Sequence, residues 1–110
     1  MAGGHIRDYT ITLTGSAQNL ATVCVGPVDQ QIMMLELQPG GGNANEVYVG
    51  GTSAVSSSLY GTRLEAADTG IPPAPWRATS DGLTALLTLG DFWVIGTNTE
   101  KLHVMIQVSA

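Results

Sequence analysis

The sequence predicts an all-β protein, an antiparallel β-sandwich with a jelly roll as the leading topology and another Greek-key order as the alternative. Three observations lead there. Short runs rich in β-branched and aromatic residues are punctuated by Gly, Pro, Asn and Ser at intervals of about 8–12 residues. The first and last runs alternate apolar and polar side chains with the period of a strand, and no stretch carries the 3.6-residue repeat of an amphipathic helix. A chain of 110 residues suits one domain, and folding would bury roughly two-thirds of its extended surface, enough for one core without a disulfide staple. The expected organisation is a flexible N-terminal arm over residues 1–7 and a single β-sandwich over residues 8–110.

Each element has its own signal. Tyr9, Ile11 and Leu13 alternate with Thr10, Thr12 and Thr14 until Gly15-Ser16 breaks the run, which makes the first strand. Leu20 to Val25 and Gln31 to Leu37 are apolar runs stopped by Gly26-Pro27 and by Pro39-Gly40-Gly41-Gly42; both are too short for an ordinary helix and are expected as strands. Glu46 to Val49 forms a fourth strand. Ala54-Val55-Ser56 and Thr62-Arg63-Leu64 flank Tyr60-Gly61 as two further short ones. The segment from Ala66 to Asp81, with Pro72-Pro73 and Pro75-Trp76-Arg77, has no alternation and is expected to be irregular. Leu83, Ala85, Leu87 and Leu89 interleave with Thr84, Leu86 and Thr88 as a penultimate strand, whose composition also permits a helical turn. A closing β-hairpin is then expected: Phe92 to Ile95, a polar turn over residues 96–101, and the alternating run Leu102, Val104, Ile106, Val108.

Chemistry is sparse along this chain. The histidines, His5 and His103, stand one in the arm and one on the polar face of the last strand, where no nucleophile is set beside them. Cys24 lies among apolar neighbours and reads as a buried thiol packing as a small hydrophobe. One Cys and two distant His residues do not make a zinc set, and Asn43-Ala44-Asn45-Glu46 has oxygens without the spacing of a calcium loop. Gly40-Gly41-Gly42 lacks the Gly-Lys-Ser/Thr ending of a phosphate cradle. The acids are dispersed singly, without the close carboxylate pair of a glycosidase. The expectation is a non-enzymatic protein with no catalytic residues, cofactor or metal.

Nine acids against four bases give a net charge of −5, so the surface repels phosphate backbones and anionic membranes, and neither a nucleic acid nor a membrane is expected as a direct partner. Residues 1–5 lack the basic and apolar regions of a secretory signal, and no apolar run approaches the ~18 residues of a membrane span, so a soluble product is expected. Recognition remains. Pro72 and Pro73 lower the ordering cost of the loop that would display Ile71 and Trp76, and Trp76-Arg77 sets two common interface anchors side by side. The candidate interface residues are therefore Ile71, Pro73, Trp76 and Arg77, with Ile6 and Arg7 in the arm as a second group able to lace onto a neighbour. Trp76 could equally plug one end of the sandwich.

Four segments carry a family resemblance. Tyr9 to Leu20, containing a G-x-x-Q-x-L step; Asn45 to Gly51, containing VYVGG; Tyr60 to Leu64, a G-x-x-L step; and Asp91 to Thr97, a D-x-W-V-I-G-T run, together resemble small all-β virion structural proteins of tailed bacteriophages. The resemblance implies a capsid cement or decoration protein on the capsid surface of the virion, made in the host bacterial cytoplasm. Its partners would be the major capsid protein and copies of itself, as a dimer or trimer, clamping adjacent subunits of the assembled shell. The alternative is a phage tail or receptor-binding module that presents Trp76, Tyr48 or Trp93 to a carbohydrate. With only 12 % of residues charged, about half the usual quarter, the isolated protein is expected to self-associate. Sedimentation velocity at micromolar concentration checks this, and monomer alone would contradict it.

Overall fold

The two-residue alternation of the chain is realised as two packed antiparallel sheets in a computed structural model that describes residues 5–24, 31–80 and 87–108. Its strands are β1 (His5–Thr12), β2 (Gln18–Asn19), β3 (Gln31–Pro39), β4 (Val47–Gly50), β5 (Thr62–Leu64), β6 (Trp76–Thr79), β7 (Leu87–Thr88), β8 (Trp93–Ile95) and β9 (Lys101–Val108). The first sheet runs β1-β9-β3-β6, with β7 beside the start of β3, and the second runs β2-β8-β4-β5. Every pairing is antiparallel. The all-β sandwich expected from the periodicity is the observed architecture.

The inner faces meet in one apolar layer. Leu35, Leu37, Leu102, Val104, Ile106 and Val108 enter it from the first sheet, and Val47, Val49, Leu64 and Val94 from the second. Alternation along β3 survives only because Met33 is an extra residue in the ladder. Ile32 pairs with Val108 and Met34 with the adjacent Gln107, so the bulge resets the phase and lets Ile32 and Leu35, three apart, both face inward.

Several expectations are corrected. The closing hairpin does not exist: β8 belongs to the second sheet and β9 to the first, so residues 96–100 form an arch between layers. The backbone of that arch is held by Leu13 and not by β8. Leu13 N–H donates to Glu100 O at 2.8 Å and Thr99 N–H donates to Leu13 O at 2.8 Å. The crossing is tight at Gly96, where a Cβ would lie 2.6 Å from Leu13 Cδ1. An arch satisfies the apolar pattern better than a hairpin, because it places Val94 and Leu102 on opposite walls of the same core.

The Leu20 to Val25 run is a helical turn, α1 (Leu20–Val23), and not a strand; Val25 lies outside the described residues. Asn19 caps it, its Oδ1 accepting from Ala21 N–H at 2.9 Å while its Nδ2 donates to Gly90 O at 2.9 Å. Leu20 and Cys24, four apart and both fully buried, then share the core-facing side. Residues 5–7, expected in the arm, belong to a strand. β1 begins at His5, paired with Val108, and residues 1–4 lie outside the described residues. Residues 54–56 are turn and loop, because Val55 packs over Gly50, where a Cβ would stand 2.9 Å from the Val55 side chain. In the supposedly irregular Ala66 to Asp81 segment, Trp76–Thr79 is a strand on the outer side of β3. Of the penultimate run, Leu87–Thr88 is strand and Leu89–Asp91 a 3₁₀ turn, while Leu83 and Ala85 lie outside the described residues.

A buried amide ties the loop after β3 to the start of β9. Asn43 Nδ2 donates to Lys101 O at 2.7 Å, and Lys101 N–H donates to Asn43 Oδ1 at 2.9 Å. Asn43→Ala leaves the Lys101 N–H without a partner, while its C=O keeps the bond from Gly40 N–H, and we expect it to cost about 1–3 kcal/mol. Arg77→Ala, which removes an ion pair between a half-exposed guanidinium and a largely covered Glu36, should cost about 1 kcal/mol. Urea midpoints of the two variants provide the comparison.

Candidate interaction surfaces

The anchors proposed from sequence fall on three separate parts of the sandwich. Ile6 and Arg7 lie on the edge strand β1, both exposed, with Ile6 at 56 %. Ile71, exposed at 66 %, is presented by a tight turn in which Asp68 and Ile71 exchange two backbone hydrogen bonds. Its central residues, Thr69 and Gly70, have φ of 53° and 80°, so this two-residue reversal fixes the side chain and the prolines do not. The carbonyl of Pro73 accepts from Gln38 Nε2 at 2.8 Å, which ties the loop to β3.

Trp76 and Arg77 are adjacent in sequence and opposed in space. Leu37, the register partner of Trp76, is fully buried, so the indole faces inward. There it meets the edge of Phe92 at 6.4 Å and packs against the core. Arg77 takes the outer face, where its Nε donates to Glu36 Oε1 at 3.0 Å. Arg77 and Arg7 also stand at opposite edges of the first sheet, three strand spacings or about 14 Å apart. Trp76 thus takes the plugging position, beside a cleft of about 440 Å³ that it lines with Phe92, Asp91, Gly50 and Gly61.

A more coherent surface lies on the outer face of the second sheet. Val94 is buried, so Trp93 and Ile95 project outward on either side of it; Tyr48, flanked by buried Val47 and Val49, stands directly opposite Ile95. The loop over residues 51–61 folds onto this face. Val55 seats against Gly50, and Tyr60 leans on Tyr48 with ring centroids 5.0 Å apart. Leu59 and Tyr60 remain 58 % and 45 % exposed. Arg63 edges the patch between Glu46 at 3.1 Å and Glu65 at 3.0 Å, and these carboxylates, Glu46 foremost, raise its guanidinium pKa. Tyr48 donates its hydroxyl to Glu46 at 3.2 Å, and partial desolvation followed by the Glu46 charge pushes that hydroxyl up.

Trp93, Tyr48, Tyr60 and Arg63 are residue types that dominate interface energetics. The sequence named Tyr48 and Trp93 for the carbohydrate alternative and did not join Tyr60 and Arg63 to them. Their signal was the phase of alternation: a Trp or Tyr between two inward valines must face out.

The titratable groups singled out by sequence do not converge. His103 is exposed on the outer face of the first sheet, its Nδ1 3.1 Å from Thr10 Oγ1. Cys24 is fully buried at the C-terminal end of α1, and burial pushes its thiol up to about 11. Among the described residues, no three His, Cys, Asp or Glu side chains are grouped to hold a metal ion.

No protein-family model, curated protein or solved structure matches this chain.

The buried thiol generates a measurable expectation. At pH 8 Cys24 should be inert to a thiol-specific reagent in the native protein and titrate fully once denaturant is added. Its folded pKa lies above the ordinary value of 9.0, so the unfolded thiol ionises first. The contribution of this group to stability is therefore constant below about pH 9 and falls between about 9 and 11. Reaction of the native thiol as fast as the denatured one would contradict the burial.

Proposed function

We propose that this chain is a non-enzymatic structural protein of a phage virion, a capsid cement or decoration protein with a jelly-roll body that binds the assembled shell and strengthens contacts between major capsid subunits. The observation that carries the binding part is the outer face of the second sheet. There Trp93, Ile95, Tyr48 and Tyr60, with exposed Leu59 at the loop tip and Arg63 at the rim, supply apolar anchors inside a charged border.

Strand order supports the jelly-roll part. With β7 set aside and the rest numbered in chain order, the two sheets run 1-8-3-6 and 2-7-4-5, the arrangement produced by two interlocked Greek keys. That fold occurs in viral capsid domains and also in lectins, so by itself it supports either reading. Repetition over a shell suits a modest interface. Each copy need add only a small stabilisation, because the shell binds many copies and the bound state is favoured by mass action.

A second reading, a carbohydrate-binding tail or receptor module, is favoured by a cleft of about 570 Å³ lined by Tyr48, Glu46, Asn45, Ser56 and Asn98. It combines one aromatic wall with several polar groups, a composition suited to a sugar ring.

Cosedimentation with purified empty capsids of the same phage separates the readings. The cement reading expects enrichment with shells over free coat subunits, and at least a tenfold weaker association for the Leu59→Asp, Tyr60→Ser double variant at an unchanged urea midpoint. No enrichment with shells removes that reading, and a glycan-array signal abolished by Tyr48→Ala would then favour the tail module.

A further inference from the structure

The two sheets end in unequal edges. β2 has 2 residues, β5 has 3 and β6 has 4, whereas β1 is an edge of 8 residues. Its ladder with β9 runs in unbroken register from His5–Val108 to Thr12–Lys101, without a bulge, proline or glycine. Bulges, prolines and charged side chains are the features by which edge strands are ordinarily blunted, and of these β1 carries the charges of Arg7 and Asp8. The side chains of Ile6, Asp8, Thr10 and Thr12 are all exposed.

Which backbone groups face outward follows from the register. Lys101, opposite Thr12, turns its N–H toward Asn43 and its C=O toward Gly40 and Asn43, away from β1. Thr12–Lys101 is therefore a non-hydrogen-bonded pair, and Leu13, one step on, is bonded to Glu100. By alternation, Arg7, Tyr9 and Ile11 bond to β9, while Ile6, Asp8, Thr10 and Thr12 direct their amides and carbonyls to the side on which, among the described residues, no strand pairs with β1. Of these, the Thr12 carbonyl already accepts from Gln18 Nε2 at 3.4 Å.

We propose that β1 pairs with β1 of a second copy, antiparallel about a two-fold axis at Tyr9, joining the first sheets of two molecules into one. Charge selects the register. An isologous pair preserves the faces of the sheet, so even-numbered residues meet even and odd meet odd. Two registers share the fullest overlap within β1: one sets Asp8 against its own copy and pairs residues 5–11, the other sets Tyr9 against its own copy and pairs residues 6–12. The first, and the shift toward the N-terminus that sets Arg7 against Arg7, place like charges directly opposite, which destabilises both. The Tyr9 register places Asp8 opposite Thr10. Asp8 and Thr10 then exchange backbone hydrogen bonds on both sides of the axis, and the free groups used are those β1 leaves open. A second copy fits better than a foreign strand because this register opposes no like charges and needs no residue outside β1. The pairing stands on the edge geometry and is independent of the capsid reading.

At the axis the two Tyr9 Cα atoms form a non-hydrogen-bonded pair about 4.5 Å apart, within the span of a disulfide. Tyr9→Cys should therefore give a covalent dimer under mild oxidation, at least tenfold faster than Thr10→Cys, which keeps the Asp8 charge, or a Thr52→Cys control. Adding Thr10→Pro removes an edge-facing N–H without touching the β1–β9 ladder, and should slow the cross-link at least tenfold with an unchanged far-ultraviolet circular dichroism spectrum. Hydrogen exchange of the unmodified protein gives a second readout: raising the concentration should protect the amides of Ile6, Asp8 and Thr10 while leaving those of the short edges β5 and β6 unchanged. Cross-linking no faster than the control, faster at Thr10 than at Tyr9, or insensitive to Thr10→Pro would overturn the pairing. So would exchange at the three amides that does not change with concentration. None of these measurements involves a capsid, so loss of the cement reading would leave the outcome unaltered.

Discussion

Leu13 joins the two sheets. Its side chain is fully buried, its N–H and C=O clasp Glu100 and Thr99, and the close approach of Gly96 lets the chain leave β8 and enter β9 in the other layer. Without that arch, β8 and β9 would lie side by side, and the second sheet would lose the strand that links β2 to β4. The rest of the molecule follows from the crossing. β9 becomes the central strand between β1 and β3, β8 carries Trp93 and Ile95 outward, and β1 is left as an edge.

Polar groups reinforce the crossing from outside. Asn43 bonds both backbone groups of Lys101, and Glu100 Oε2 accepts from Ala44 N–H at 2.7 Å, so the loop after β3 is locked onto the base of the arch. That loop leads directly into Glu46 and Tyr48. A buried amide satisfied by a strand end thus sets the position of the aromatic face on the other side of the sandwich, a coupling through rigid backbone. The ion pairs contribute less. Arg63 and Arg77 are each about half exposed, where solvent screens the attraction. Their value lies in orienting side chains at the rims of faces.

The two surfaces differ in the interactions available to them. The second sheet offers side chains, rings and an exposed loop tip, and suits a partner of different chemistry. The β1 edge offers backbone hydrogen bonds in a fixed register and suits another strand, with specificity coming from which side chains meet. A protein using both could contact a large assembly through one surface and a neighbouring copy through the other. Multivalent attachment of that kind makes weak individual contacts sufficient.

The alternation of Tyr9, Ile11 and Leu13, and of Leu102 through Val108, was enough to determine strands, and with no helical repeat it determined an all-β body. It also contained the outward phase of Tyr48 and Trp93, because a strand's inner and outer faces are written in consecutive residues. Sheet membership was not written there. Val94 and Leu102 face the core equally well in a hairpin or an arch, and the choice rests on contacts with Leu13, some 80 residues away in sequence. The same holds for α1, whose turn depends on Asn19 reaching Gly90, and for Trp76, which became an inward plug once Arg77 paired with Glu36 across β3. Local pattern decides what one strand can bury, whereas non-local hydrogen bonding decides which strand lies beside it, and with that which side chains share a surface.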